Sequence, residues 1–115
     1  MLRTTWLFAV LVGVLFAGCS PCARRANAES AADEKGKDCN TGNNGWTQGQ
    51  VQACEAGLSK CSQDDLKELD AYSTCLDQLA QCTPDHATSW QFSRLECATG
   101  HLLNISFTCL NATSK

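Results

Sequence analysis

Nine of the 115 residues are cysteine, close to the density at which a short chain becomes a scaffold held by covalent cross-links. Such scaffolds belong to oxidising compartments. The segment from Cys39 to Lys115 has 77 residues and a modest apolar supply. A core of that size seldom supplies more than about 3–5 kcal/mol by itself. One disulfide closing a loop of some twenty residues adds about 3 kcal/mol, so the cysteines are read as structural. Their spacing argues against zinc, which wants close pairs such as C-x₂-C. Within residues 39–115 at least six residues separate every cysteine from the next. No metal ligand set, cofactor or catalytic residue is expected.

The cysteines also carry a repeat. "CEAGLSKCSQDD" (residues 54–65) and "CLDQLAQCTPDH" (residues 75–86) share C-x₃-L-x₂-C-[ST]-x-D at an offset of 21 residues. Cys, Leu and Cys at i, i+4 and i+7 share one face of a helix. A Ser or Thr straight after each second Cys is a helix-capping type. Ser62 has Asp65 three residues on, as in a capping box, and Thr83 precedes Pro84, which suits a first helical position. One unit cannot bury its own apolar face, so the units must stack. The pattern predicts an all-α fold: a small disulfide-stapled bundle of three helices, over about 46–61, 63–82 and 84–102. The second would bury Leu66, Leu69, Tyr72, Leu76 and Leu79, and the third Trp90, Phe92, Leu95, Cys97 and Leu102. Asn104 is a candidate cap for a fourth segment, a short helix or an extended stretch over "NISFTCLN".

Eight cysteines follow Cys19, namely Cys22, Cys39, Cys54, Cys61, Cys75, Cys82, Cys97 and Cys109. They admit on the order of a hundred pairings. The spacing is near-palindromic about residue 68, which invites nested pairs 54–82 and 61–75, as in twin-Cys helical hairpins. That pattern needs a turn near Glu68, where "DDLKELDAY" reads as unbroken helix. A turn at 62–63 instead sets Cys54 level with residues 71–73. The expected pairs are then Cys54–Cys75, Cys39–Cys82 and Cys61–Cys97, with Cys22–Cys109 left by elimination.

Ahead of this domain the chain changes character. Arg3 precedes "WLFAVLVGVLFA" (residues 6–17), which as a helix rising about 1.5 Å per residue is too short for a hydrocarbon core of roughly 30 Å. It reads as the apolar region of a signal peptide. "FAGC", Phe16 to Cys19, resembles the lipobox of bacterial lipoproteins. That resemblance covers only the first 19 residues. It implies a signal peptide over 1–18, cleavage before Cys19, a diacylglyceryl group on the Cys19 thiol and acylation (palmitate or similar) of the new amino group. In enteric bacteria it further implies that Ser20, in place of Asp, permits export to the outer membrane. A rival cut at "ANA", residues 26–28, lies far downstream and behind Arg24 and Arg25, and would leave an odd seven cysteines. Residues 19–38 lack any large apolar side chain and predict a disordered tether, followed by the cysteine-rich helical domain over 39–115. "CNTGNNGW" (residues 39–46) lacks the carboxylates of a calcium loop and reads as a turn.

The chain has formal charge −3. Removing residues 1–18 takes away only Arg3, leaving eight basic against twelve acidic side chains, net −4. That argues against a nucleic-acid partner. His86 and His101 have no nucleophile and acid at a catalytic spacing, and no phosphate loop or nucleophile elbow occurs. "CSPC", residues 19–22, has thioredoxin-like spacing, yet sits where nothing would lower a thiol pKa. Asn104-Ile-Ser and Asn111-Ala-Thr match the glycosylation pattern of eukaryotic secreted proteins. The expected role is a non-catalytic interaction or assembly factor of the cell envelope, as in a surface or motility complex. It would be held at the membrane by its lipid and engage a protein partner. The alternative is a freely secreted cysteine-rich helical module that binds an apolar ligand or a receptor.

Overall fold

The structure is a computed structural model that describes residues 20–41 and 45–115. The signal-peptide and lipobox readings on residues 1–19, and the centre of the expected turn at 42–44, lie outside the described residues. Among the described residues five α-helices form the fold: α1 (Pro21–Lys35), α2 (Gln48–Gly57), α3 (Gln63–Asp77), α4 (Ala87–His101) and α5 (Phe107–Thr113). Short 3₁₀ turns at Lys37–Cys39, Leu58–Lys60, Pro84–His86 and Leu102–Asn104 join them. No strand occurs among the described residues, so the fold is all-α and disulfide-rich.

The first helix corrects the reading of residues 19–38 as a tether. Ser20 caps α1, its hydroxyl accepting from the Ala23 amide at 3.1 Å, and Pro21 takes the first helical position, where it loses no bond. The alanine-rich sequence that follows suits a helix well. Its buried side is made of Cys22, Arg25, Ala26, Ala28, Ala32 and Asp33. These are mostly small, so the α1 backbone comes close to α3, and Ala28 and Ala32 pack against Tyr72, Leu76 and Cys97. The large apolar surface is supplied by the partner helix. Low hydrophobicity of α1 itself therefore does not prevent burial, and the ordering entropy of the segment is offset by Tyr72, Leu76 and a cross-link.

Placing α1 against α3 explains the disulfides. The expected Cys39–Cys82 pair is present, joining the turn after α1 to the loop after α3. The other three expected pairs, Cys54–Cys75, Cys61–Cys97 and Cys22–Cys109, are replaced by Cys22–Cys54, Cys61–Cys109 and Cys75–Cys97. With the flank of α3 taken by α1, α2 packs on α1 and α5 instead of folding back along α3. Cys54 then meets Cys22, with Cα atoms 5.9 Å apart. Cys75 is free to meet Cys97 on α4, and Cys61 reaches Cys109 on α5. A close approach of α2 to α5 requires Gly57, where a Cβ would overlap the carbonyl of Ala112.

Helix ends differ from expectation for local reasons. The capping box of Ser62 and Asp65 is present. However, α3 stops at Asp77 rather than residue 82, since the chain beyond it pairs with the end of α1. The Cys82 amide donates to the Lys35 carbonyl at 2.8 Å, and Lys35 Nζ to the Asp77 carbonyl at 2.8 Å. Thr83 and Pro84 open a 3₁₀ turn without a side-chain cap, and α4 proper begins at Ala87. Asn104 bonds back to the Gly100 carbonyl, and Ser106 is the cap of α5. Of the expected apolar stripes, Leu69, Tyr72, Leu76, Trp90 and Cys97 are buried, Leu66, Leu79 and Leu102 half-buried. Phe92 and Leu95, expected in the core, are exposed at 61% and 56%. The buried face of α4 runs through Trp90, Arg94 and Cys97 instead.

Disulfide mapping of the native protein should return the four pairs of the structure, and recovery of Cys54–Cys75 would show that α1 is not in place. Replacing both Cys22 and Cys54 by Ser should lower stability by about 3–4 kcal/mol, the chain-entropy figure for a loop of this length, measured by urea unfolding.

Candidate functional site

One end of the domain is built on the first turn of α1. Ser20 Oγ, besides capping the helix, donates to Glu55 Oε1 of α2 at 2.8 Å. Two residues on, Cys22 is 1% exposed and bonded to Cys54. Arg24 reaches across to α3, where Nε meets Asp70 at 2.7 Å, Nη1 meets Asp77 at 3.2 Å and Nη2 donates to Thr74 Oγ1 at 2.6 Å. The hydrogen bond to Asp70 is the largest cause that raises the Arg24 pKa. Covalent, hydrogen-bonded and ionic contacts thus fix the chain from its first described residue.

Behind this turn lies a polar hub. Arg25 is 8% exposed, its guanidinium 5.2 Å from the centroid of the Trp46 ring and 5.6 Å from that of Tyr72. Such stacking is worth roughly 0.5–2 kcal/mol, more where water is excluded. Glu29, one turn further on, accepts from Arg25 Nε at 3.4 Å, from the Tyr72 hydroxyl at 3.1 Å and from Trp46 Nε1. Arg25 also donates to the Thr113 carbonyl at 3.5 Å. One buried ion pair therefore connects α1, the segment before α2, α3 and the end of α5. A second pair, Arg94 with Asp33 at 2.8 Å, connects α4 to α1. Burial, and then the nearby Glu29 carboxylate that its hydroxyl must donate to, push the Tyr72 pKa up to about 12.

A second clamp joins the starts of two helices. Asp65 Oδ2 accepts from the Ser62 amide at 3.0 Å and the Ser106 hydroxyl at 2.8 Å, while Oδ1 accepts from the Ser106 amide at 2.8 Å. The amide of Ser106 first, then that of Ser62 and the Ser106 hydroxyl, hold the Asp65 carboxyl down at about 2. Cys61, Asp65 and Cys109 cluster closely enough to suggest a metal. The two sulfurs are bonded to each other, however, and the Asp65 oxygens are committed to Ser62 and Ser106.

The outer surface offers a groove of about 490 Å³ between the loop after α3 and α4, with Leu79, Cys82, His86, Trp90 and Glu96 on its walls. Trp90 Nε1 closes its floor by donating to the Ala80 carbonyl at 2.7 Å. The hydroxyls of Ser89 and Ser93 donate to helix carbonyls, and exposed His86 lies 3.6 Å from Asp85. His101, at the end of α4 as its sequence position implies, has its Nδ1 3.0 Å from Glu68. Large apolar side chains also stand in solvent: Phe92 and Leu95 on α4, and Leu103 and Phe107 around the start of α5.

Of the predicted site residues, Cys19 lies outside the described region, and the other eight cysteines are all in disulfides. Cys22 does not form a redox pair with Cys19, since it is bonded to Cys54. Sequence reasoning missed Arg25, Glu29 and the Ser106 side of the Asp65 clamp. Two signals for α1 were present: Ser20-Pro21 as a cap pair, and Arg25 with Glu29 at helical i, i+4 spacing. Among the described residues no helix is long and apolar enough to cross a membrane. Comparison with protein-family models, with curated proteins and with solved structures finds no match to this chain.

Tyr72 is the only tyrosine in the chain, so phenolate absorbance reads it alone. Its titration midpoint should lie near 12, and Glu29→Gln should bring it down only part of the way, because burial is the larger cause. Its raised folded pKa makes its contribution to stability complete below about pH 10 and lost as the pH rises toward 12. Asp65 has the opposite sign: its contribution is complete above about pH 4 and disappears as the pH falls toward 2. Thermal unfolding followed from pH 5 to pH 2 should show the melting temperature dropping through that window, and Asp65→Asn should flatten the drop while lowering the melting temperature at neutral pH.

Proposed function

We propose that this chain is an envelope lipoprotein, acylated on Cys19 and carrying a small cross-linked helical domain that serves as a non-catalytic interaction or assembly factor. The observation that carries the reading is the cysteine balance. All eight cysteines from Cys22 onward pair with one another. The ninth, Cys19, is then surplus to the disulfide framework, and it is the residue that the "FAGC" stretch marks for acylation. Four disulfides also fit an oxidising compartment outside the cytoplasm.

The rival cut after Ala28 fits the fold poorly. It would sever α1 at a residue only 2% exposed, remove Arg25 from beneath Trp46 and Tyr72, and strand Cys54 without a partner. An acyl anchor of two or three chains, at about 0.8 kcal/mol per buried CH₂, holds a domain stably where a single chain does not. The outer membrane is the destination that Ser20 supports. The exposed Phe92 and Leu95, one turn apart on α4, supply apolar area for a protein partner at that membrane.

The intact mass of the mature protein, with and without reduction, tests the proposal. It should show a chain that begins at Cys19 with a lipid-sized increment and gains eight hydrogens on reduction. An unacylated chain beginning at Glu29 would overturn it and favour the freely secreted module.

A further inference from the structure

A lipoprotein domain on a disordered tether of 19 residues would roam about 25 Å from its anchor, the r.m.s. reach of such a flexible chain. The structure leaves no such tether. Ser20 is already the cap of α1 and is bonded to Glu55, Pro21 is in the first turn, and Cys22 is buried and cross-linked to Cys54. Between the Cα of Cys19, whose side chain would carry the lipid, and the Cα of Ser20 there is a single peptide unit, which spans about 3.8 Å.

We infer that the domain docks on the bilayer itself, with the end formed by the first turn of α1 and the adjoining Cys54–Glu55 turn of α2 set against the lipid headgroups. This rests on the lipoprotein reading. The occupant of that end follows from covalent geometry, since on the lipoprotein reading the acylated residue, Cys19, directly precedes Ser20, the cap of α1. Electrostatics does not bring the domain there: the mature chain is net −4, and anionic lipid would repel it weakly. The covalent link imposes the contact.

The outer face of α1 indicates how the domain stands. Its exposed residues are Asn27, Ser30, Ala31 and Glu34, and Glu34 is paired with Lys37 at 2.7 Å. None offers a large apolar or a free cationic contact to a headgroup layer, so α1 gains little by lying flat. Standing on its first turn, α1 carries its far end, with the Cys39–Cys82 bridge and the Pro84–His86 turn, roughly 20 Å above the headgroups, at about 1.5 Å per residue. The groove lined by Cys82, His86 and Trp90 then opens on the side away from the membrane. Any partner must come to the membrane surface to meet this domain, which cannot reach out to it.

Paramagnetic relaxation tests this with the acylated full-length mature protein in nanodiscs of phosphatidylethanolamine and phosphatidylglycerol, doped with a gadolinium-chelating lipid. Backbone amides of residues 22–25 and 53–57 should relax several-fold faster than those of residues 83–90. A Gly/Ser insertion of about ten residues between Cys19 and Ser20, beginning with Ser, adds roughly 17 Å of reach and should abolish the difference. An even, weak effect over the uninserted domain, or one centred on Phe92, Leu95, Leu103 and Phe107, would overturn the inference. The mass of the same sample separates the two failures. An acylated chain with an even effect removes only the docking, whereas an unacylated chain removes docking and lipoprotein reading together.

Discussion

The packing of α1 on α3 organises the rest of the molecule, and a buried arginine is what makes it work. Arg25 has no counterpart in the small side chains around it, and a desolvated guanidinium is costly unless it is paired and hydrogen-bonded. Here Glu29 pairs it, two aromatic rings face it and a backbone carbonyl accepts from it. Each of those partners comes from a different part of the chain. Removing any one leaves a buried charge partly unsatisfied, so the hub ties the positions of Trp46, Tyr72 and Thr113 to that of α1. The alanines beside it make the approach possible, and Tyr72 and Leu76 supply the area that α1 lacks.

Around that seam the disulfides are distributed so that every helix is cross-linked, either within its span or in the turn next to it. They join partners 22 to 48 positions apart in sequence, closing loops long enough to remove much of the unfolded chain's freedom. The clusters of buried apolar residues are small, one around Leu76 and Cys97 and another around Leu69, Ile105 and Cys109. Two bridges reach into those clusters, since Cys75 and Cys97 belong to the first and Cys61 and Cys109 to the second. Sulfur here substitutes for the aliphatic volume that so short a chain does not have. The Asp65 clamp next to Cys61–Cys109 adds a polar lock between the starts of α3 and α5.

Much of the middle of the chain was legible residue by residue. The Ser62–Asp65 capping box, the Leu69, Tyr72 and Leu76 stripe, the burial of Trp90 and the Cys39–Cys82 bridge all follow from local pattern or from simple reach. The largest failure began at one point. Residues 19–38 carry no large apolar side chain, and average hydrophobicity makes such a stretch a tether. A helix of alanines needs no apolar bulk of its own when its partner brings the bulk, and nothing local in a sequence reveals that partner. With α1 missing, the flank of α3 stood empty, Cys75 was assigned to Cys54, and three of four pairings were displaced. Phe92 and Leu95 were misplaced for a related reason: helical spacing marks two candidate faces on α4, and only the position of Arg94 against Asp33 selects the one that turns inward.

Local chemistry along the chain determined that this would be a helical, cross-linked domain, because cap residues, periodicity and cysteine count act over a few residues or by number alone. The tertiary structure decided which thiols meet, which helix fills the flank of α3, and how closely the domain begins behind Cys19. Those outcomes depend on contacts between residues tens of positions apart, where a pair such as Arg25 with Thr113 or Asp65 with Ser106 has no signature until both ends are brought together.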